Sequence, residues 1–188
     1  MGTRERILDA TADLLWERGY TATSPQAIQL AAGVGQGSMY HHFPSKAALA
    51  AASLRDSGEQ LRRSTAELLR TAPTPADAVL AYLRTPREAL RGCRLGRMTQ
   101  DVDVLADEDL RSPIAETLTY YQGLLAALLE EGQRVGQLRS DFSATSVAAT
   151  LVAIIQGAHV LARAEQAPQA FERVVAGAVH LVEGLRTR

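Results

Sequence analysis

Residues 23–43 constrain this chain more than any other stretch: Thr23-Ser24-Pro25-Gln26-Ala27-Ile28-Gln29-Leu30-Ala31-Ala32-Gly33-Val34-Gly35-Gln36-Gly37-Ser38-Met39-Tyr40-His41-His42-Phe43. The pattern predicts a short helix, a tight glycine turn and a second short helix, with Pro44-Ser45-Lys46 opening a third. Gly33 falls where the first helix must stop, and glycine takes the left-handed conformation such a stop needs without a Cβ penalty. Ile28, Val34, Met39 and Phe43 are spaced to pack the two helices together, which leaves Gln36, Gly37, Ser38, Tyr40 and His42 on the outer face. A helix-turn-helix of this form lays its second helix in the major groove of double-stranded DNA. Two starts are open for the first helix. Thr23 with Gln26 would form a capping box and occupy Gln26, whereas Ser24 with Pro25 at the first helical position would leave Gln26 pointing toward DNA.

The rest of the chain reads as helix throughout. Hydrophobic residues make up 46% of the 188 positions, with abundant alanine and few alternating β-branched runs, a composition that favours helix over sheet. Thr3 is placed to cap a first helix whose Ile7, Leu8, Leu14 and Leu15 form an apolar stripe ending at Gly19. Ser45 caps a fourth, running to about Arg70. After Pro73 and Pro75, a fifth is expected over Ala76 to Leu90. Gly92 and Gly96 flank a short irregular helix, and Asp101 to Asp109 reads as an acidic loop. Pro113 to Glu131 is another helix, and two apolar helices close the chain over Ser143–Glu165 and Pro168–Arg186. Leu151, Ile154, Ala158 and Leu161 on the first of these, and Phe171, Val174, Ala178 and Leu181 on the second, follow helical spacing. Such faces suit a two-fold symmetric four-helix bundle between subunits as well as the core of one subunit.

Charge offers no global sign of nucleic-acid binding, since the net charge is −1 and the pI about 6.4. Within residues 1–46, Arg4, Arg6, Arg18 and Lys46 balance Glu5, Asp9, Asp13 and Glu17. Few phosphate contacts and a moderate salt dependence follow, because that slope scales with the phosphates neutralised. Lys46, the only lysine among 20 basic residues, stands in the first turn of a helix, where a cation opposes the macrodipole unless a phosphate joins it. Gln36 can pair with adenine, and Ser38 can reach a base edge or a phosphate.

Other classes find little support. Cys93 is the single cysteine, so an internal disulfide is impossible and a cysteine metal cluster implausible. No His, Asp or Glu spacing implies a metal site or a catalytic triad, and the acidic stretch lacks the glycine and bidentate glutamate of an EF-hand. Val147 to Ala164 is apolar but interrupted by Gln156, His159 and Arg163, and reads as a buried helix rather than a membrane span. No signal-peptide core opens the chain. The expectation is a cytoplasmic protein, neither enzyme nor membrane protein, without metal or cofactor.

The run from Thr3 to Lys46 resembles the N-terminal domain of the TetR family of transcriptional regulators over its whole length. Arg4-Glu5-Arg6-Ile7-Leu8-Asp9-Ala10, Glu17-Arg18-Gly19-Tyr20 and above all Met39-Tyr40-His41-His42-Phe43-Pro44-Ser45-Lys46 carry the likeness. Gly35 and Gln36 stand where members often have Ser then Lys. The resemblance implies an all-α protein with a three-helix DNA-binding domain over residues 1–46 and a larger helical ligand-binding and dimerisation domain over 47–188. It also implies phosphate contacts from Tyr40, His42 and Lys46; Thr23 and Gln26 are further candidates for the DNA face, depending on which residue caps the helix. The expected protein is a homodimeric repressor on a pseudo-palindromic operator, released by a small, mostly apolar effector; the alternative is a ligand-independent or protein-partnered DNA-binding factor of the same fold. Tyr82, Cys93, Met98, Tyr120, Leu124, Gln156 and His159 together suit a pocket with a few polar anchors, although each also has an ordinary explanation in core packing.

Overall fold

The computed structural model describes residues 2–187. Among them the chain forms α1 (Thr3–Arg18), α2 (Pro25–Ala32), α3 (Gln36–His42), α4 (Lys46–Arg70), α5 (Pro75–Arg84), a 3₁₀ segment (Gly96–Gln100), α6 (Val102–Ala106), α7 (Glu108–Arg134), α8 (Ala144–Glu165) and α9 (Pro168–Glu183). The described residues contain no strand, only one isolated antiparallel bridge between Leu138 and Arg186.

Side-chain caps set most helix starts. Ser24 accepts from the Ala27 amide at 3.1 Å, Ser45 from Ala48 at 3.0 Å, Thr74 from Asp77 at 3.1 Å and Ser143 from Ser146 at 3.2 Å. Each satisfies an amide that the first helical turn would leave without a partner. At α1 the cap is Gly2 rather than Thr3, and the Gly2 amide donates to the Glu5 carboxylate at 2.8 Å. The fifth helix is shorter than its apolar pattern suggests. It stops at Arg84 because Pro86 disfavours helical geometry at the residue before it, and Thr85 turns away with ψ 126°.

The acidic stretch is a pair of helix starts, not a loop. Asp101 accepts from the Asp103 amide at 3.2 Å and Asp107 from Asp109 at 2.9 Å. Carboxylates at helix N-termini are stabilised by the macrodipole, so charge that looked like solvated loop instead nucleates α6 and α7.

Two compact units result, one from Met1–Gln60 with Cys93–Thr117, the other from Leu61–Gly92 with Leu118–Arg188. The first is larger than a domain ending at residue 46. Its core joins Ile7, Leu8, Leu14, Ile28, Ala32, Met39, Phe43 and Leu49. The second is built around Val79, Leu80, Leu83, Leu125, Leu129, Leu151, Ile155 and Phe171.

By length and composition α8 could cross a membrane, but its buried stripe joins the core of the second unit, where α8 packs on α9. Ala148, Ala158 and Ala162 are fully buried there, small enough to let neighbouring backbone approach. That packing corrects half of the expected subunit face. Leu151, Ala158, Phe171 and Ala178 are buried within the protomer, Ile154 and Val174 are half-buried, and only Leu161 (47% exposed) and Leu181 (63%) point outward. The open stripe is one step round the helices: Ala153, Gly157, Val160 and Leu161 on α8, with Gly177 and Leu181 on α9. A helix apolar on all sides offers two faces, and spacing alone does not say which one turns inward.

Candidate nucleic-acid interface

Gly33 ends α2 at φ 63°, ψ 42° and its amide donates back to Leu30, while the Val34 amide donates to Gln29. The chain therefore reverses in a few residues and starts α3 at Gln36. Ile28 and Met39 (each 1% exposed) and Phe43 (5%) fix α2 and α3 on α1 and α4, with Val34 packed at the edge. This buried set leaves the outer residues of α3 no choice of direction.

Gln36, Gly37, Tyr40, His41 and His42 are exposed and Ser38 half-buried, all on α3. Ser24 and Pro25 begin α2, so the alternative capping box is absent and Gln26 is exposed. Thr23 is a correction. It is fully buried, and its hydroxyl lies 2.7 Å from the Gly19 carbonyl and 3.3 Å from that of Leu14. Its single proton is used inside the α1–α2 turn, so its side chain is not on the outer face.

Lys46 is half-buried, with its ammonium 4.1 Å from the Tyr20 ring centroid, a cation–π contact. Burial lowers its pKa, and Asp101 and Asp103 act in the opposite direction. The Tyr20 phenol is pushed up, first by burial and then by Asp107, Asp103 and Asp101. Tyr20 was legible only as part of a motif; its role as a platform under the lysine needed the fold.

Three further features escaped the sequence reading. Asp101 Oδ2 accepts the Thr21 amide at 2.8 Å, and the Thr21 hydroxyl reaches Asp101 Oδ1 at 2.9 Å and Asp103 Oδ2 at 3.1 Å. Residues eighty positions downstream thus hold the α1–α2 turn. Leu30, 85% exposed, lies one turn after Gln26 on the same face of α2, where an apolar side chain can meet a sugar or a thymine methyl. The Arg4 guanidinium lies 5.4 Å from the Phe43 ring centroid, beside the end of α3. Periodicity flagged none of these, although Leu30 interrupts an otherwise polar surface.

The pocket candidates divide between the units. Cys93 (half-buried) and Met98 (1% exposed) belong to the first; Tyr82, Tyr120, Leu124, Gln156 and His159 belong to the second. Tyr82 is buried with its ring 5.8 Å from that of Tyr121. His159 is buried, its Nδ1 3.3 Å from the Ala89 carbonyl and its ring 4.7 Å from Phe171. Burial lowers its pKa, the Ala89 contact opposes that, and Arg87 and Arg163 add to the lowering. Tyr120 is exposed, and Leu124 and Gln156 are half-buried. None of the seven lines the cleft of about 810 Å³ that the second unit carries beside α9. No group of three or more metal-ligating side chains occurs among the described residues.

Comparison with known proteins agrees with this geometry. Residues 7–53 match the family described as "Bacterial regulatory proteins, tetR family", and residues 74–178 match "Tetracyclin repressor-like, C-terminal domain". The transcriptional repressor DhaR of Mycobacterium sp. (strain GP1) is 29% identical over 82% of this chain and 79% of its own. The repressor KstR2 of Rhodococcus jostii is 30% identical over 74% of this chain and 70% of its own. The crystal structure of reduced E. coli NemR superposes with a TM-score of 0.86 at 26% identity, covering 99% of this chain and 98% of that one. FadR of Bacillus subtilis, solved with stearoyl-CoA, shares the fold at a TM-score of 0.74 and 18% identity over 95% of this chain and 96% of that one.

Proposed function

This chain belongs to the TetR family of DNA-binding transcriptional regulators, and on that premise we propose that it is a homodimeric repressor whose hold on a pseudo-palindromic operator is released by a small, mostly apolar effector. The observation that carries the DNA reading is the outward row on α2 and α3, where Gln26, Gln36, Gly37, Ser38, Tyr40 and His42 stand clear of a core sealed by Ile28, Met39 and Phe43. In this reading Gln36 meets base edges, Ser38 and Gln26 meet a base or the backbone, and Tyr40, His42 and Lys46 meet phosphate. Thr23 keeps a supporting role, holding the turn before α2.

The exposed stripe of α8 and α9 supports the subunit contact. Val160, Leu161 and Leu181 are large apolar side chains in water, next to Gly157 and Gly177, which let a second pair of helices come close. Two-fold pairing there would set two recognition helices about one DNA turn (~34–36 Å), or a multiple, apart. Repressor names among the relatives, and one fold neighbour holding an acyl thioester, support repression and effector response. Release would be a population shift toward a conformer with misplaced recognition helices, with a coupling of about 1–3 kcal/mol lowering operator affinity some 5–150-fold. A cytoplasmic location follows from a target on DNA.

Selection of bound duplexes from a random pool, at two salt concentrations, tests the reading. An enriched inverted repeat is expected. Enrichment of a single half-site, or none from a protein sized as a folded dimer, would overturn it.

A further inference from the structure

In the second unit the irregular segment Thr85–Arg91 and one face of α9 bound the cleft of about 810 Å³, a size that suits a small organic molecule (about 300–1,000 Å³). Its base is apolar. Leu83, Ala89 and Phe171 are buried there, and Val175 and Val179 are half-buried. Its walls carry three arginines against two glutamates: Arg84, Arg87 and Arg91, with Glu88 and Glu172.

The arginines are not equivalent. Arg87 is fixed, its guanidinium donating to the carbonyls of Leu83 (3.2 Å), Thr85 (2.9 Å) and Tyr82 (2.7 Å) at the end of α5. Arg84 is held loosely. It stands 3.8 Å from Glu183, whose carboxylate Arg186 engages at 2.7 Å. An ion pair of that length at a wet surface contributes little, so exchanging it for a ligand carboxylate loses little. The apolar base alone would accept any hydrophobe. The arginines select among hydrophobes for anions, while Glu88 and Glu172 weigh against a ligand with several negative charges.

We infer that this cleft binds an amphipathic monoanion, an apolar body carrying one carboxylate, and that this is the effector class of the protein. The inference rests on the ligand-responsive reading above. One buried side chain ties two parts of the apolar base together, since His159 Nδ1 donates to the Ala89 carbonyl in the tautomer this contact requires, while its ring packs on Phe171.

Decanoate is the probe, with uncharged decanol as its control, against the full-length protein by titration calorimetry and by operator-duplex binding. Decanoate is expected to bind more tightly than decanol. Arg84→Gln is expected to weaken decanoate about tenfold, the equivalent of one modest ion contact, and to leave decanol within about twofold. Ala176→Trp, at an exposed cleft position, should fill the space and abolish both. Decanoate that binds no better than decanol, or equally well to Ala176→Trp confirmed folded by circular dichroism, would overturn the site. Decanoate that binds the cleft and is lost in Ala176→Trp, yet leaves operator affinity unchanged, would establish the monoanion site and refute its role as the effector site.

Discussion

Asp101 offers the sharpest test of how the first unit is held together. Its carboxylate accepts the Thr21 amide at 2.8 Å and the Thr21 hydroxyl at 2.9 Å, and it caps α6 through the Asp103 amide at 3.2 Å. Each Thr21 bond is worth about 0.5–1.5 kcal/mol net, and a lost cap about 1 kcal/mol. The group is partly exposed, which places the total near the lower end. Asp101→Ala should therefore cost about 2 kcal/mol and lower the melting temperature by about 4–8 °C for a chain of this size. The acid dependence follows from the same contacts. Burial by itself would raise the Asp101 pKa, but hydrogen bonds from Thr21 and from the Asp103 and Val104 amides hold it below its ordinary value of 3.8. Folding thus favours the charged form, so this stabilisation is complete above pH 3.8 and is lost as pH falls through the depressed folded value. Urea unfolding at pH 7 and in steps toward pH 3 measures both effects. A loss below about 0.5 kcal/mol at pH 7, within the range of ordinary surface changes, or parallel acid limbs for wild type and variant, would refute the assignment.

Four other outcomes are expected. Lys46→Ala should weaken binding by a similar factor on every operator and reduce the salt slope by about one contact, whereas Gln36→Ala should alter base preference; equal effects of both on all duplexes in a titration panel would contradict those roles. Gly33→Ala forces a Cβ into φ 63° and should cost about 1–2 kcal/mol in chemical unfolding. Leu161→Glu with Leu181→Glu should shift the protein to monomer in analytical ultracentrifugation, while Leu151→Ala, a core truncation, should lose about 2–5 kcal/mol of stability with no change in assembly. His159 is held below its ordinary pKa of 6.5 chiefly by burial, so the unfolded chain takes up its proton first: stability is complete above pH 6.5 and declines as pH falls from 6.5 toward the folded value, a limb that His159→Gln should abolish in a pH series of thermal melts.

What this sequence determined by itself is local. The αL stop at Gly33, the inward set of Ile28, Met39 and Phe43, and hence the outward set on α3, all follow from conformational preference and 3.6-residue spacing within twenty residues, whereas the choice between the Thr23 and Ser24 starts was left to the structure. Those rules act between near neighbours, so they fixed the helix-turn-helix and most other helices. They failed where short-range signals competed, as at Pro86, which ends α5 although Ala89 and Leu90 resume the apolar spacing beyond it. Tertiary structure decided everything that depends on distant partners. It buried Thr23, drew Asp101 to Thr21 across eighty residues, set Lys46 over Tyr20, turned Leu151 and Phe171 inward while leaving Leu161 and Leu181 in water, and built the cleft from α5, the segment after it and α9. An apolar side chain carries no label for which of two neighbouring surfaces will cover it. A carboxylate in an acidic run likewise does not reveal which amide it will find. Only the packed chain supplies those partners, which is why the outward row of α3 was legible in advance and the cleft beside α9 was not.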